Sequence, residues 1–191
     1  MKSETWIPPP EADGNDKKMQ SIVFGRENCY NSHIMALSRK ELAILNNLLK
    51  KVKPTSKGVP EEVFEGLIHL VPFIALEIVV VNKKGEMLLT WRDDKYWRGW
   101  HFPGGLLRYR ETFKKRLNET VKRELGTLLK SFRFLFTENY LNGKRSHDVS
   151  LVFKCVLSGK PKDGKFFGKM PKDIIDAHKV LWKNVTSNIK F

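Results

Sequence analysis

Cysteine is scarce in this chain. Cys29 and Cys155 are the only two, too few and too far apart for a disulfide framework or a thiolate metal site, so both read as reduced and structural. No run of about 18 apolar residues occurs, the length a spanning helix needs. The polar, proline-bearing stretch 1–20 also lacks the apolar centre of a secretory signal. The expectation is a soluble, cytoplasmic protein with no membrane partner. Acidic residues are outnumbered, 21 against 35 basic, for a formal charge of +14. Such an excess concentrates phosphates, nucleotides or nucleic acid near the surface. There is no arginine-rich tail and no basic stripe along one helix. The charge therefore names a partner class, and a solubilising surface and a nucleic-acid role both stay open. Internal repeats are absent.

What is present is enough for one domain with an extension, since 191 residues at 41% hydrophobic can close a core of ordinary size. Residues 1–20 carry Pro8-Pro9-Pro10 and Gly14-Asn15-Asp16 and read as a loose arm. Residues 21–69 read as a helical extension. In it, Ser38 and Glu41 have the spacing of a capping box ahead of Leu42, Leu45, Leu48 and Leu49, and a shorter helix follows from Pro60 to His69. The main domain occupies 70–191. Its first element is the apolar, β-branched run Phe73 to Val81, a central strand. Asn82 to Gly85 is a hairpin turn, and Glu86 to Trp91 the returning strand.

An aromatic loop, Tyr96 to Trp100, leads through His101-Phe102-Pro103 to Gly104-Gly105. A helix then starts near Glu111, with Phe113, Leu117, Val121 and Leu125 on one face and Gly126 as its stop. Phe132 to Tyr140 and Val149 to Leu157 read as strands, Ser158 to Pro171 as a basic loop, and Val180-Leu181-Trp182 as a last strand. Strands mixed with a few helices indicate a layered α/β domain.

From Gly105 onward the chain resembles the Nudix hydrolases, whose box is Gly, five residues, Glu, seven residues, Arg-Glu, an aliphatic, any residue, Glu-Glu, any residue, Gly. Gly105, Glu111, Glu124 and Gly126 match. Glu119 stands at the box Arg, Thr120 and Arg123 at metal-binding Glu positions, and Thr127 at an aliphatic one. The resemblance covers roughly Leu70 to Trp182 and implies a Nudix-type α/β/α sandwich with a mixed central sheet. A box that keeps only the last of its paired glutamates is similar to the GDP-mannose mannosyl hydrolase branch, as are Leu76-Glu77-Ile78, Leu88-Leu89-Thr90-Trp91-Arg92 and Trp100 to Gly105. That likeness implies a nucleotide-sugar substrate and attack of water at the sugar carbon.

The same resemblance implies one divalent ion, Mg²⁺ or alternatively Mn²⁺, held by Glu124, the carbonyl of Gly105 and Asp176 on a loop. Mg²⁺ often takes only one or two carboxylates and completes its shell with water and phosphate oxygens. Arg92 is placed to clamp a phosphate. Glu77, Arg92, Trp100 and Arg108 are the candidate substrate contacts. The family's base would fall at Ala177, which makes His178, one place later, the first candidate and His147 the second, since an imidazole suits proton removal at neutral pH. His69 and His101 read as structural and His33 as a surface residue. Glu111 needs a cation, Lys115 or another, and Glu119 with Arg123 has ion-pair spacing.

Two further readings stay open on these residues. Thr120 and Arg123 in place of acids fit a catalytically impaired nucleotide- or RNA-binding module. An ordinary Nudix pyrophosphatase, acting on a dinucleotide, capped RNA or other diphosphate, is the other. Monomer and homodimer also stay open.

Overall fold

The computed structural model describes residues 37–53, 58–141 and 147–188. The arm at 1–20, Cys29 and His33 lie outside the described residues. The chain divides into two units, Met1–Lys51 and Val52–Phe191. In the first, helix α1 (Arg39–Lys51) opens with the expected box: the Ser38 N–H donates to Glu41 Oε2 at 2.7 Å and the Glu41 N–H to Ser38 Oγ at 3.3 Å. None of its residues is buried.

The second unit starts earlier than residue 70, because helix α2 (Glu61–Leu67) belongs to it. Lys95 Nζ donates to Glu61 Oε1 at 2.7 Å and to Glu65 Oε1 at 2.8 Å, and Phe64 packs on Phe73 with ring centroids 5.2 Å apart. Strand β1 (Phe73–Val79) is buried along its last five residues, as its unbroken apolar run demands. Asn82 then builds the hairpin turn with its own side chain: Oδ1 accepts from the Lys84 and Glu86 N–H groups at 2.9 and 3.0 Å. Gly85 supplies the positive φ of 79° that the turn needs.

Strand β2 (Met87–Asp93) follows, and then two short strands where the sequence reads as loop, β3 (Arg98–His101) and β4 (Gly104–Leu106). Helix α3 (Phe113–Leu125) is capped by the Thr112 hydroxyl, which accepts from the Lys115 N–H at 3.2 Å, and ends on Gly126 in the left-handed region. Strands β5 (Leu129–Tyr140) and β6 (Asp148–Leu157) pair antiparallel. A three-residue strand β7 (Lys165–Phe167), inside the stretch read as a basic loop, adds to β2.

One sheet runs β4-β1-β6-β5 and the other β3-β2-β7. Because β1 is parallel to β6 while its other neighbour β4 is antiparallel, the larger sheet is mixed. The last element corrects the sequence reading: Val180-Leu181-Trp182 lies in helix α4 (Asp176–Asn188), not in a strand. Leu181, Trp182 and Val185 share one helical face and are buried. Alternation along β1 divides the core. Leu76 and Ile78 join Leu117, Val121 and Leu125 of α3, and Val79 joins Leu181, Trp182 and Val185 of α4. The result is the expected α/β/α sandwich.

Cys155 is free and buried, and burial pushes its thiol up to about 12, so it stays protonated and inert. No helix among the described residues is long and apolar enough to cross a membrane.

Candidate active site

The cavity that takes in the box has a volume of about 860 Å³ and lies where β1, β2 and β4 meet α3, with α2 along one side. That volume suits a small organic ligand. Arg92, Arg108, Arg123, Glu77, Glu124 and His178 all line it.

The loop that brings the chain from β4 to α3 is anchored by Glu111. Its two oxygens take Arg116 Nε at 2.8 Å and Nη2 at 2.9 Å, and Oε2 also accepts the Arg108 N–H at 3.1 Å. Both side chains are almost sealed, at 2% exposure for Arg116 and 5% for Glu111. Burial alone would raise the Glu111 carboxyl, but the Arg116 bonds hold it below the usual range. Arg116, not Lys115, is therefore the cation that replaces the box Arg.

Glu124 closes the other end of α3. Its side chain is 18% exposed, and its Oε1 accepts from Arg123 Nη2 at 2.6 Å. The same nitrogen donates to the Gly104 carbonyl at 3.0 Å. Arg123 is thus paired with Glu124, not with Glu119, and the carbonyl that converges with the carboxylate belongs to Gly104, one residue before the expected Gly105. Glu124 Oε2 faces the Thr90 hydroxyl at 3.4 Å, and that hydroxyl meets His101 Nε2 at 3.1 Å. Burial pushes the Glu124 carboxyl above the ordinary glutamate value, against the pull of Arg123. Thr120, at a position where the family places an acid, is fully buried, and its hydroxyl makes no hydrogen bond among the described residues.

Both glycines of the pair lie in close approach to side chains, Gly104 the more tightly. A Cβ at Gly104 would collide with the Glu77 carboxylate, and one at Gly105 would press on Thr120 Oγ1 at 3.1 Å. Glu77 is buried on β1 and lines the cavity.

His178 receives the Phe102 N–H on Nδ1 at 3.2 Å. A neutral imidazole bonded in this way carries its proton on Nε2, so His178 is a donor in this arrangement and not the expected base. Burial, then His101 and Arg92, lowers its pKa to about 3, and burial followed by Arg92 lowers His101 to about 4. In the unfolded chain both return to about 6.5. The unfolded state therefore binds more protons below that value, and stability falls as pH drops from about 6.5 towards 4. Urea midpoints measured from pH 7 to pH 5 are expected to follow this slope. In His178→Asn, which keeps an acceptor for Phe102, the slope should be shallower.

Other expected site residues lie elsewhere. His147 stands just before β6, its carbonyl accepting the Phe73 N–H at 2.9 Å and its Nε2 on Asn139 Oδ1 at 2.8 Å, and it does not line the cavity. Asp176 begins α4 rather than lying on a loop; its side chain is 91% exposed and pairs with Lys179 at 2.7 Å. It lines a second depression with Trp91, Trp97 and Arg98, whereas Glu124 lines the first. Trp100 packs between Trp91 and Phe167, at 5.4 and 4.9 Å, which is a core contact. Arg92 lines the cavity but its Nε is held by Asp94 Oδ2 at 2.5 Å, leaving Glu77 to other contacts. Of the two residues that meet Glu124 here, Arg123 already stood at a metal-binding position of the box in the sequence, whereas Thr90 was not singled out, a lone threonine on a strand carrying no signal of its own.

Residues 72–186, well over half of the chain, match the NUDIX domain family, and the chain belongs to that family. Among solved structures it is similar to a MutT NUDIX hydrolase from Burkholderia pseudomallei, at 20% identity and a TM-score of 0.54 over 60% of this chain and 98% of that one. It is also similar to a putative nudix hydrolase family member from Chromobacterium violaceum, at 15% identity and a TM-score of 0.51, over 62% and 79% of the two chains. At such identities the likeness is one of fold. No curated protein sequence matches the chain.

Proposed function

We propose that the protein hydrolyses a nucleoside-diphosphate sugar to the nucleoside diphosphate and the free sugar, with GDP-mannose as the type of substrate. The observation that carries this reading is the pared-down acid set: among the box positions lining the cavity Glu124 alone carries a carboxylate, Arg123 stands there in place of another acid, and Thr120, in place of a third, is fully buried. Attack at phosphorus in this family draws on more carboxylates; attack at carbon needs fewer.

The donor chemistry fits a divalent ion. Glu124 Oε1 and the Gly104 carbonyl already converge on one cation, the Arg123 guanidinium, and Mg²⁺ or Mn²⁺ can be held by a single carboxylate with water and phosphate oxygens completing the shell. When bound there, such an ion would neutralise the diphosphate and improve it as a leaving group. Among the described residues no three His, Cys, Asp or Glu side chains gather into a metal cluster, so the protein's share of the ligands is small.

The chain's own residues do the remaining work. Arg92 and Arg108 offer planar forks to the phosphates from the cavity wall. Glu77, fixed against Gly104, accepts from a sugar hydroxyl or a base N–H, and His178 donates from Nε2. Water supplies its oxygen to the anomeric carbon, the bond from that carbon to the β-phosphate oxygen breaks, and the water proton is released.

Incubation with a nucleotide-sugar panel and Mg²⁺ in ¹⁸O-water tests the reading. The label is expected in the sugar. Label in a phosphate would assign the protein to pyrophosphatases acting on another diphosphate. The contact of Arg123 with Glu124 favours a second reading, a nucleotide-binding module without turnover, and tight nucleotide binding with no hydrolysis of any diphosphate would select it.

A further inference from the structure

The cation resting on Glu124 and Gly104 is part of the chain. Arg123 Nη2 lies 2.6 Å from Glu124 Oε1 and 3.0 Å from the Gly104 carbonyl, so one nitrogen uses both oxygens assigned above to the ion. The guanidinium passes over Gly105, where an added Cβ would stand 3.4 Å from that nitrogen, at van der Waals contact. The carboxylate's remaining contacts carry no full charge: the Gly104 N–H, and on Oε2 the Thr90 hydroxyl at 3.4 Å and the neutral ring of His101 at 3.9 Å. A single charge-assisted bond of this kind outweighs those longer contacts.

The guanidinium also has a way out. The Arg123 side chain is 51% exposed, whereas Glu124 is 18% exposed, so the arginine can leave without opening the core while the acid stays in place. A guanidinium and a divalent ion cannot share two oxygens at these distances, because their charges repel across about 3 Å of partly dry space. Thr120 cannot ease the conflict, being a neutral hydroxyl where a second acid would have held the ion independently.

We infer that Arg123 is a resident competitor of the divalent ion: it neutralises Glu124 in the empty site, and the ion binds only when the guanidinium moves off. An anionic diphosphate in the same cavity, which Arg123 also lines, is the ligand able to draw it away, so metal and substrate favour each other's binding. This rests on the reading of Glu124 and Gly104 as ion ligands.

Titration of the full-length protein with Mn²⁺ alone, followed by loss of the free-ion electron paramagnetic resonance signal, tests it. Arg123→Ala and Arg123→Gln are expected to bind Mn²⁺ about tenfold or more tightly than wild type, the worth of the charge-assisted bonds removed. Adding Glu124→Gln to either variant should abolish the gain. Equal affinity in wild type and both arginine variants, still dependent on Glu124, would overturn the competition and leave the ion site standing. Binding that ignores Glu124 in every variant would overturn the ion site as well.

Discussion

Glu111→Ala is expected to cost about 3–5 kcal/mol of folding stability, the range found when one partner of a buried ion pair is removed. Arg116 is 2% exposed and its guanidinium contacts Glu111 at 2.7 to 2.9 Å, so deleting the acid strands a charge where water cannot reach. The loop also loses the bond from the Arg108 N–H to Glu111 Oε2. Urea denaturation at neutral pH measures the loss. Pairing Glu111→Leu with Arg116→Met, which removes both charges, should restore much of it, because apolar side chains of similar volume often replace such pairs without penalty. Wild-type stability in the single variant would mean that the pair is not sealed in solution.

The largest effect on chemistry is expected from Glu124→Gln, a fall in kcat/KM of about a thousandfold on whichever diphosphate substrate is turned over. An amide keeps the shape and an acceptor for Thr90 but removes the only box carboxylate in the cavity. The several kcal/mol of charge stabilisation attributed to such an ion convert to that factor. Stability should change little, since burial already disfavours the charged carboxyl and the amide relieves that cost. Steady-state kinetics and a thermal melt on the same preparation separate the two effects. Unchanged turnover would remove Glu124 from the site.

The fold could be read from residues because its signals are local and repeated. The β-branched run to Val81, the Asn82 to Gly85 turn and the Gly105 to Gly126 spacing each point to one structure, and all lie in the sandwich as expected. Helix α4 escaped because only three consecutive apolar residues, Val180 to Trp182, stood out. The helical signal was the spacing of His178, Leu181 and Val185, a face that becomes apolar only once His178 is buried and neutral.

In the site, pairings along the chain misled. The spacing rule for helix faces pointed Glu111 to Lys115 and Arg123 to Glu119, but Glu111 precedes the Thr112 cap and is not on the helix. Its partner was free to come from the turn that faces the core. Arg123 turned to its immediate neighbour because the Gly104 carbonyl, nineteen residues earlier in the chain, supplied a second acceptor. No spacing rule contains that information. Nor does sequence reveal that Asp176 opens a helix on a different depression from the one Glu124 lines.

Helix α3 presents Leu117, Val121 and Leu125 to one hydrophobic layer and Glu124 to the cavity. Any repacking that rotates or slides this rod by a fraction of a turn must swing the acid with it. Thermostability engineering aimed at that layer will therefore register first as altered catalysis, and screens for the two properties on this protein are best run together.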